Sequence, residues 1–108
     1  VLKKAFHVMN MTNESLPGGA GAEILALEAL GYMARTEDLL GTFLGASGLA
    51  AADLPGLAAK PAFLAGVLDF LLMDDAWVTG FASDVGVRPD AVLAARALLP
   101  GGDLPHWT

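Results

Sequence analysis

The chain has 108 residues, over half of them hydrophobic, no cysteine and a formal net charge of −6. That length supports one core, and the missing cysteines exclude disulfides and thiolate metal sites and fit a reducing, cytoplasmic setting. The acidity disfavours nucleic acid and anionic membrane surfaces as partners, because both are held by clustered Lys and Arg.

Alanine and leucine dominate and β-branched residues are few, so the class is all-α. Residues 1–20 carry Lys3, Lys4 and Glu14 and read as an N-terminal tail, broken by Asn13, Ser15, Pro17, Gly18 and Gly19. Their apolar run is too short for the core of a signal peptide. Val1 in first place suggests a non-AUG start codon taken literally, with Met9 or Met11 as the native start.

Residues 21–102 read as one helical domain and 103–108 as a second tail. A first helix is expected over Ala22–Arg35. Ile24, Leu27 and Gly31 share one line on it, and Leu25, Ala29, Tyr32 and Met33 the next, with Glu23 and Glu28 turned to water. A second helix follows Thr36 as its N-cap, with Glu37 and Asp38 in its first turn. Leu39, Leu40, Phe43, Leu44 and Ser47 continue the inward stripe, and Gly48 closes it. The third, within Ala51–Ala59, is the weakest element because of Pro55 and Gly56.

Pro61–Met73, PAFLAGVLDFLLM, is the stretch the others are organised around. It is apolar almost all the way round, which requires enclosure by protein or lipid. At 13 residues it falls short of the roughly 20 needed to span a bilayer. It therefore reads as the central helix of a bundle. Asp74 and Asp75 start a fifth helix that runs to about Val85 and buries Trp77 or Val78, Phe81, Ala82 and Val85. Gly86 ends it. A sixth helix, about Pro89–Leu99, presents Val92, Leu93, Ala95, Leu98 and Leu99 to the core. An offset of 38 residues superposes Leu30 on Leu68, Phe43 on Phe81 and Gly48 on Gly86 without a gap. The expectation is two three-helix units, about 24–60 and 62–98, packed with pseudo-symmetry.

The run PAFLAGVLDFLL, the acidic helix start before Trp77, the turn FASDVGVRPDAV and the late ARALLPGG resemble short alphaproteobacterial proteins of domain-of-unknown-function family 3572. The resemblance covers roughly Ala22–Gly102, and Pro55-Gly56 is where the chain departs most from that pattern. It implies a small helical bacterial domain and brings no activity, cofactor or catalytic residue.

Nothing in the residues points to catalysis. His7 and His106 lie in the tails. No HExxH, phosphate-binding glycine loop or GxSxG is present, and Ser15, Ser47 and Ser83 have no base nearby in sequence. The pairs Glu37-Asp38 and Asp74-Asp75 read as helix-start charges. The expectation is no enzyme, no cofactor and no metal site. Phe81–Ala95 fits a helix-turn-helix mask, but Asp90, Ala91, Leu93 and Ala94 are poor readers of base edges. The leading reading is a non-enzymatic protein-interaction module, open to self-association, with a helix-turn-helix regulator as the alternative. Three residues are candidates for partner binding. Trp77 and Trp107 are the only tryptophans, and Trp107 either packs on its own domain or anchors a partner. Asp69 is a lone acid in the most apolar helix, for which Arg35 or Arg96 would be a partner.

Overall fold

The computed structural model describes residues 19–101, which form six α-helices and no strand. They are α1 (Gly19–Arg35), α2 (Leu39–Ser47), α3 (Leu54–Leu57, entered from a 3-10 turn over Ala51–Asp53), α4 (Pro61–Leu71), α5 (Asp75–Val85) and α6 (Asp90–Ala97). Each falls where the sequence places a helix, although α1 starts ahead of Ala22 and α4 stops before Met73. The two tails, the Met9 or Met11 start, His7, His106 and Trp107 lie outside the described residues.

Helices α1 and α4 form the heart of the bundle and share its most extensive interface. α1 also touches α2, α5 and α6, so it is as central as the apolar helix. Its core side is Ala22, Leu25, Ala26, Ala29 and Met33, all buried and spread over an arc of about 100° at 3.6 residues per turn. α4 buries Leu64, Ala65, Val67, Leu68, Phe70 and Leu71. Each such leucine contributes about 1.5–3 kcal/mol when fully withdrawn from water. The helix is not enclosed all round, however. Pro61, Ala62 and Asp69 face solvent.

Aromatic rings connect this pair to the outer helices. Phe43 of α2 sits edge-on to Phe63 and Phe70 of α4, with centroids 6.0 and 5.2 Å apart. Phe70 then stacks on Trp77 of α5 at 4.7 Å. On the other side, Tyr32 of α1 meets Phe81 of α5 edge-on at 5.7 Å.

Helix ends follow the expected chemistry in part. Gly48 and Gly86 both adopt left-handed φ, 73° and 77°, as a C-terminal glycine does. Asp74 caps α5 by accepting the Ala76 N–H at 2.8 Å. Thr36 does not cap α2. Its hydroxyl donates back to the Tyr32 carbonyl at 2.7 Å and so belongs to the end of α1. Asp38, at φ 66°, takes the N-cap place without a side-chain bond, and both Glu37 and Asp38 precede α2 instead of lying in its first turn. Asp53 accepts the Ala50 N–H at 2.9 Å and closes the turn before α3.

The spacing of 38 recurs in the order of helices and in the two left-handed glycines, but the packing does not repeat. α6 packs on α1, α4 and α5, whereas α3 buries no residue and has substantial contact only with its own 3-10 turn. Pro55 and Gly56 shorten α3 to a single turn, too short to offer a face.

Glycine substitutions test the packing. A Cβ at Gly45 or Gly66 meets open space, so Gly45→Ala and Gly66→Ala should each raise the unfolding free energy by about 0.5–1 kcal/mol in urea titrations. Gly80 differs, because a Cβ there runs into the Tyr32 hydroxyl. Gly80→Ala should fall below both by about 1 kcal/mol or more, and adding Tyr32→Phe should restore the gain.

Candidate functional site

The structure separates the residues singled out in the sequence. Trp77 lies in the first turn of α5, half-buried, with one ring face against Phe70. It serves the aromatic row. Asp69 points the other way from α4 and meets Arg96 of α6, with Nε donating to Oδ1 at 2.5 Å. The second guanidinium contact of Arg96 is the Pro100 carbonyl at 2.9 Å, so the arginine ties α4 to the exit of α6. Arg96 is therefore the partner of Asp69, and Arg35 pairs with Asp84 of α5 instead. Trp107 is outside the described residues.

These roles predict unequal costs. Asp69 is more than half exposed and Arg96 only 18% exposed. Asp69→Asn should cost under about 1 kcal/mol, as exposed ion pairs do. Arg96→Ala should cost more, since it also removes the bond to Pro100 and a packed aliphatic stem. Paired urea melts check the order.

Two apolar surfaces stand where the sequence reading put core. On α1, Ile24 and Leu27 remain 38% and 43% exposed. They lie opposite the Ala22–Ala26–Ala29–Met33 side. With Glu28, Gly31, Arg35 and Val85 they line an open groove of about 370 Å³ between α1 and α5. On α6, Leu93 and Leu98 are 62% and 58% exposed, because Val92, Ala95 and Leu99 take the inward side. A line of buried alanines was the available signal. Small residues at i, i+4 and i+7 mark the side on which another helix approaches closely, and the bulkier line opposite is then left outside.

Glu28 sits within the α1 groove and not fully in water. Burial raises its carboxyl pKa above the ordinary value, and it has no ion-pair partner among the described residues. Arg35 closes the groove but is held by Asp84. Among the described residues the lining offers apolar contact and one carboxylate without a cation partner, and it contains no histidine, serine or threonine. A second open dent of about 440 Å³ lies under α3 between Leu49, Asp53, Gly56, Leu57 and Lys60, and there the Asp53 carboxylate is already engaged by Ala50. Among the described residues no three His, Cys, Asp or Glu side chains converge as a metal site, and no helix is long and apolar enough to cross a membrane.

A raised carboxyl pKa has a defined sign. The folded chain holds the Glu28 proton more tightly than the unfolded chain, so this group's contribution favours folding below the ordinary glutamate range. That contribution is lost as pH rises through the raised value. Glu28→Gln should therefore raise Tm slightly at pH 7, with the difference from the parent shrinking toward zero as pH falls below about 4.

The α5–Gly86–α6 segment has the order of a helix-turn-helix. The outward side of its second helix is Leu93, Ala94, Ala97 and Leu98, which carry no hydrogen-bond donor for a base edge. Arg88, just before it, is engaged with Asp90 at 3.1 Å. The described residues hold ten carboxylates against four fixed cations.

Comparison with known proteins adds one finding. No curated protein and no solved structure matches the chain. Residues 20–102 match the family described as "Protein of unknown function (DUF3572)", and the chain belongs to that family.

Proposed function

We propose that this chain is a non-enzymatic protein-interaction module and that the α1–α5 groove receives the partner. One observation carries the reading: Ile24 and Leu27 stand exposed beside a partly buried Glu28 that has no cation partner among the described residues. Scattered single apolar residues on a surface need no explanation, but an apolar cleft with a polar group in its wall has the composition of a binding site. Its complement is a short apolar segment of another protein that carries one Lys or Arg. The aliphatic part would cover Ile24, Leu27 and Val85, and the cation would pair with Glu28. The acid excess of the domain favours approach of such a segment. It works against nucleic acid, as does the donor-free outer side of α6. A cytoplasmic setting belongs to this reading.

The test compares the intact tagged chain with Ile24→Asp and Leu27→Asp in nuclease-treated lysate of the source organism. Both positions are already partly in water, so thermal melts should stay close to the parent. The expected result is a stoichiometric protein captured by the parent and lost by at least tenfold from both variants. Capture that survives both substitutions, or that disappears with nuclease in the parent, overturns the groove reading. Sedimentation velocity on the purified chain separates a foreign partner from a second copy.

A further inference from the structure

Gly31 stands in the interior of α1, where glycine is the poorest helix former after proline. Close packing of the bundle does not account for it. A Cβ at Gly41, Gly45 or Gly66 meets open space, and one at Gly31 meets a single side-chain atom among the described residues, Arg35 Nη1, at 3.2 Å. Gly31 therefore provides a seat. Nη1 lies over its bare backbone, within the lining of the α1–α5 groove. Nη2 of the same guanidinium donates to Asp84 Oδ2 at 2.5 Å. One nitrogen ties the group to α5 and the other faces the groove. The guanidinium has five N–H donors in a rigid plane, and the bond to Asp84 leaves most of them unspent among the described residues.

This corner complements Glu28. The two residues are seven apart, so they fall on nearly one line of α1, and the guanidinium leans back to the level of Gly31, about 4.5 Å of helix rise past Glu28. One lining thus holds an acid without a cation partner among the described residues and a cation with donors to spare, with Ile24, Leu27 and Val85 as apolar wall. A carboxylate matches the guanidinium fork better than any other common protein group. An arginine already held by an acid loses less side-chain freedom on binding than a free one. The acidic surface opposes a bare anion, so a carboxylate reaches Arg35 only on a ligand that also brings apolar contact and a positive charge for Glu28.

We infer that Gly31, Arg35 and Asp84 form a carboxylate-binding corner in the α1–α5 groove. Its ligand is a short apolar segment that carries a cation for Glu28 and, one or two residues away along an extended chain, a carboxylate for Arg35. The inference rests on the groove reading above and specifies the chemistry of the occupant. A chain terminus and an acidic side chain supply the same group. Gly31 is a positioning residue, since it acts by leaving room for the guanidinium.

The probes are acetyl-Leu-Lys-Leu as free acid and as amide, and acetyl-Leu-Lys-Glu amide against its Gln counterpart. They are titrated into the isotope-labelled full chain while the Gly31 amide and Arg35 Nε signals are followed. At least one carboxylate peptide should bind fivefold or more tighter than its neutral twin and move both signals. The free acid alone assigns a chain terminus, and the Glu peptide an acidic side chain. Arg35→Gln should abolish the preference. Gly31→Ala should at least halve it while Tm stays at or above that of the parent, because the exposed guanidinium swings away from the added methyl. Carboxylate and neutral peptides that bind alike, no binding of any of them at millimolar concentration, or a preference that survives Arg35→Gln overturns the corner. Ile24→Asp and Leu27→Asp separate the two readings. Affinity that falls in both variants yet ignores the carboxylate overturns the corner alone, and affinity that neither variant changes overturns the groove with it.

Discussion

Ala22, Ala26 and Ala29 present nothing beyond Cβ to the interior, and α4 meets α1 there with Leu64, Val67, Leu68 and Leu71 all buried. Small residues on one helix let large ones on the other fill the space between the axes at interior density. The remaining helices are arranged by this contact. α2 and α5 attach through rings that extend from Phe70, and α6 closes the far side with Val92, Ala95 and Leu99. α3, which has no face to offer, stays at the edge as a single turn.

Polar side chains act at the borders of that core and not within it. None of the buried residues is polar or charged among those described. Arg35, Arg88 and Arg96 each engage an acid, and two of these pairs join different helices, α1 to α5 and α6 to α4. Ion pairs of this exposure contribute little to stability; their larger effect is to use up positive charge. Outside that core the described residues present an acidic surface on which Ile24 and Leu27 of α1, Met73 after α4, and Leu93 and Leu98 at α6 stand exposed. Any binding by this domain has to work with that combination, which suits apolar or basic protein segments and opposes phosphate backbones.

Some of this was legible beforehand. Asp69 in an apolar run had to be paired or wet, since an unpaired buried carboxylate is too costly; it is both, and Arg96 was one of two cations that fitted. The lines Ile24–Leu27–Gly31 and Leu93–Leu98 were misassigned to the core. In a helix rich in alanine and leucine, several adjacent lines are equally apolar, and periodicity does not choose among them. The choice depends on how closely the neighbouring helix approaches, which the alanines permit on one side only. The Thr36 cap failed for a related reason: a threonine hydroxyl bonds forward to a new helix or back to the old one, and the turn decides between them.

The sequence by itself determined the all-α class, the six helices in order, the glycines at 48 and 86, and an acidic chain without cysteine. These rest on local propensity, on backbone conformations that favour glycine, and on a count of charges, none of which needs a neighbour in space. Tertiary structure alone decided which apolar line of α1 and α6 is buried, which arginine meets Asp69, and that a repeat in spacing is not a repeat in packing. Each of those depends on distances between residues far apart in the chain, and such distances are set by the whole bundle closing around α1 and α4.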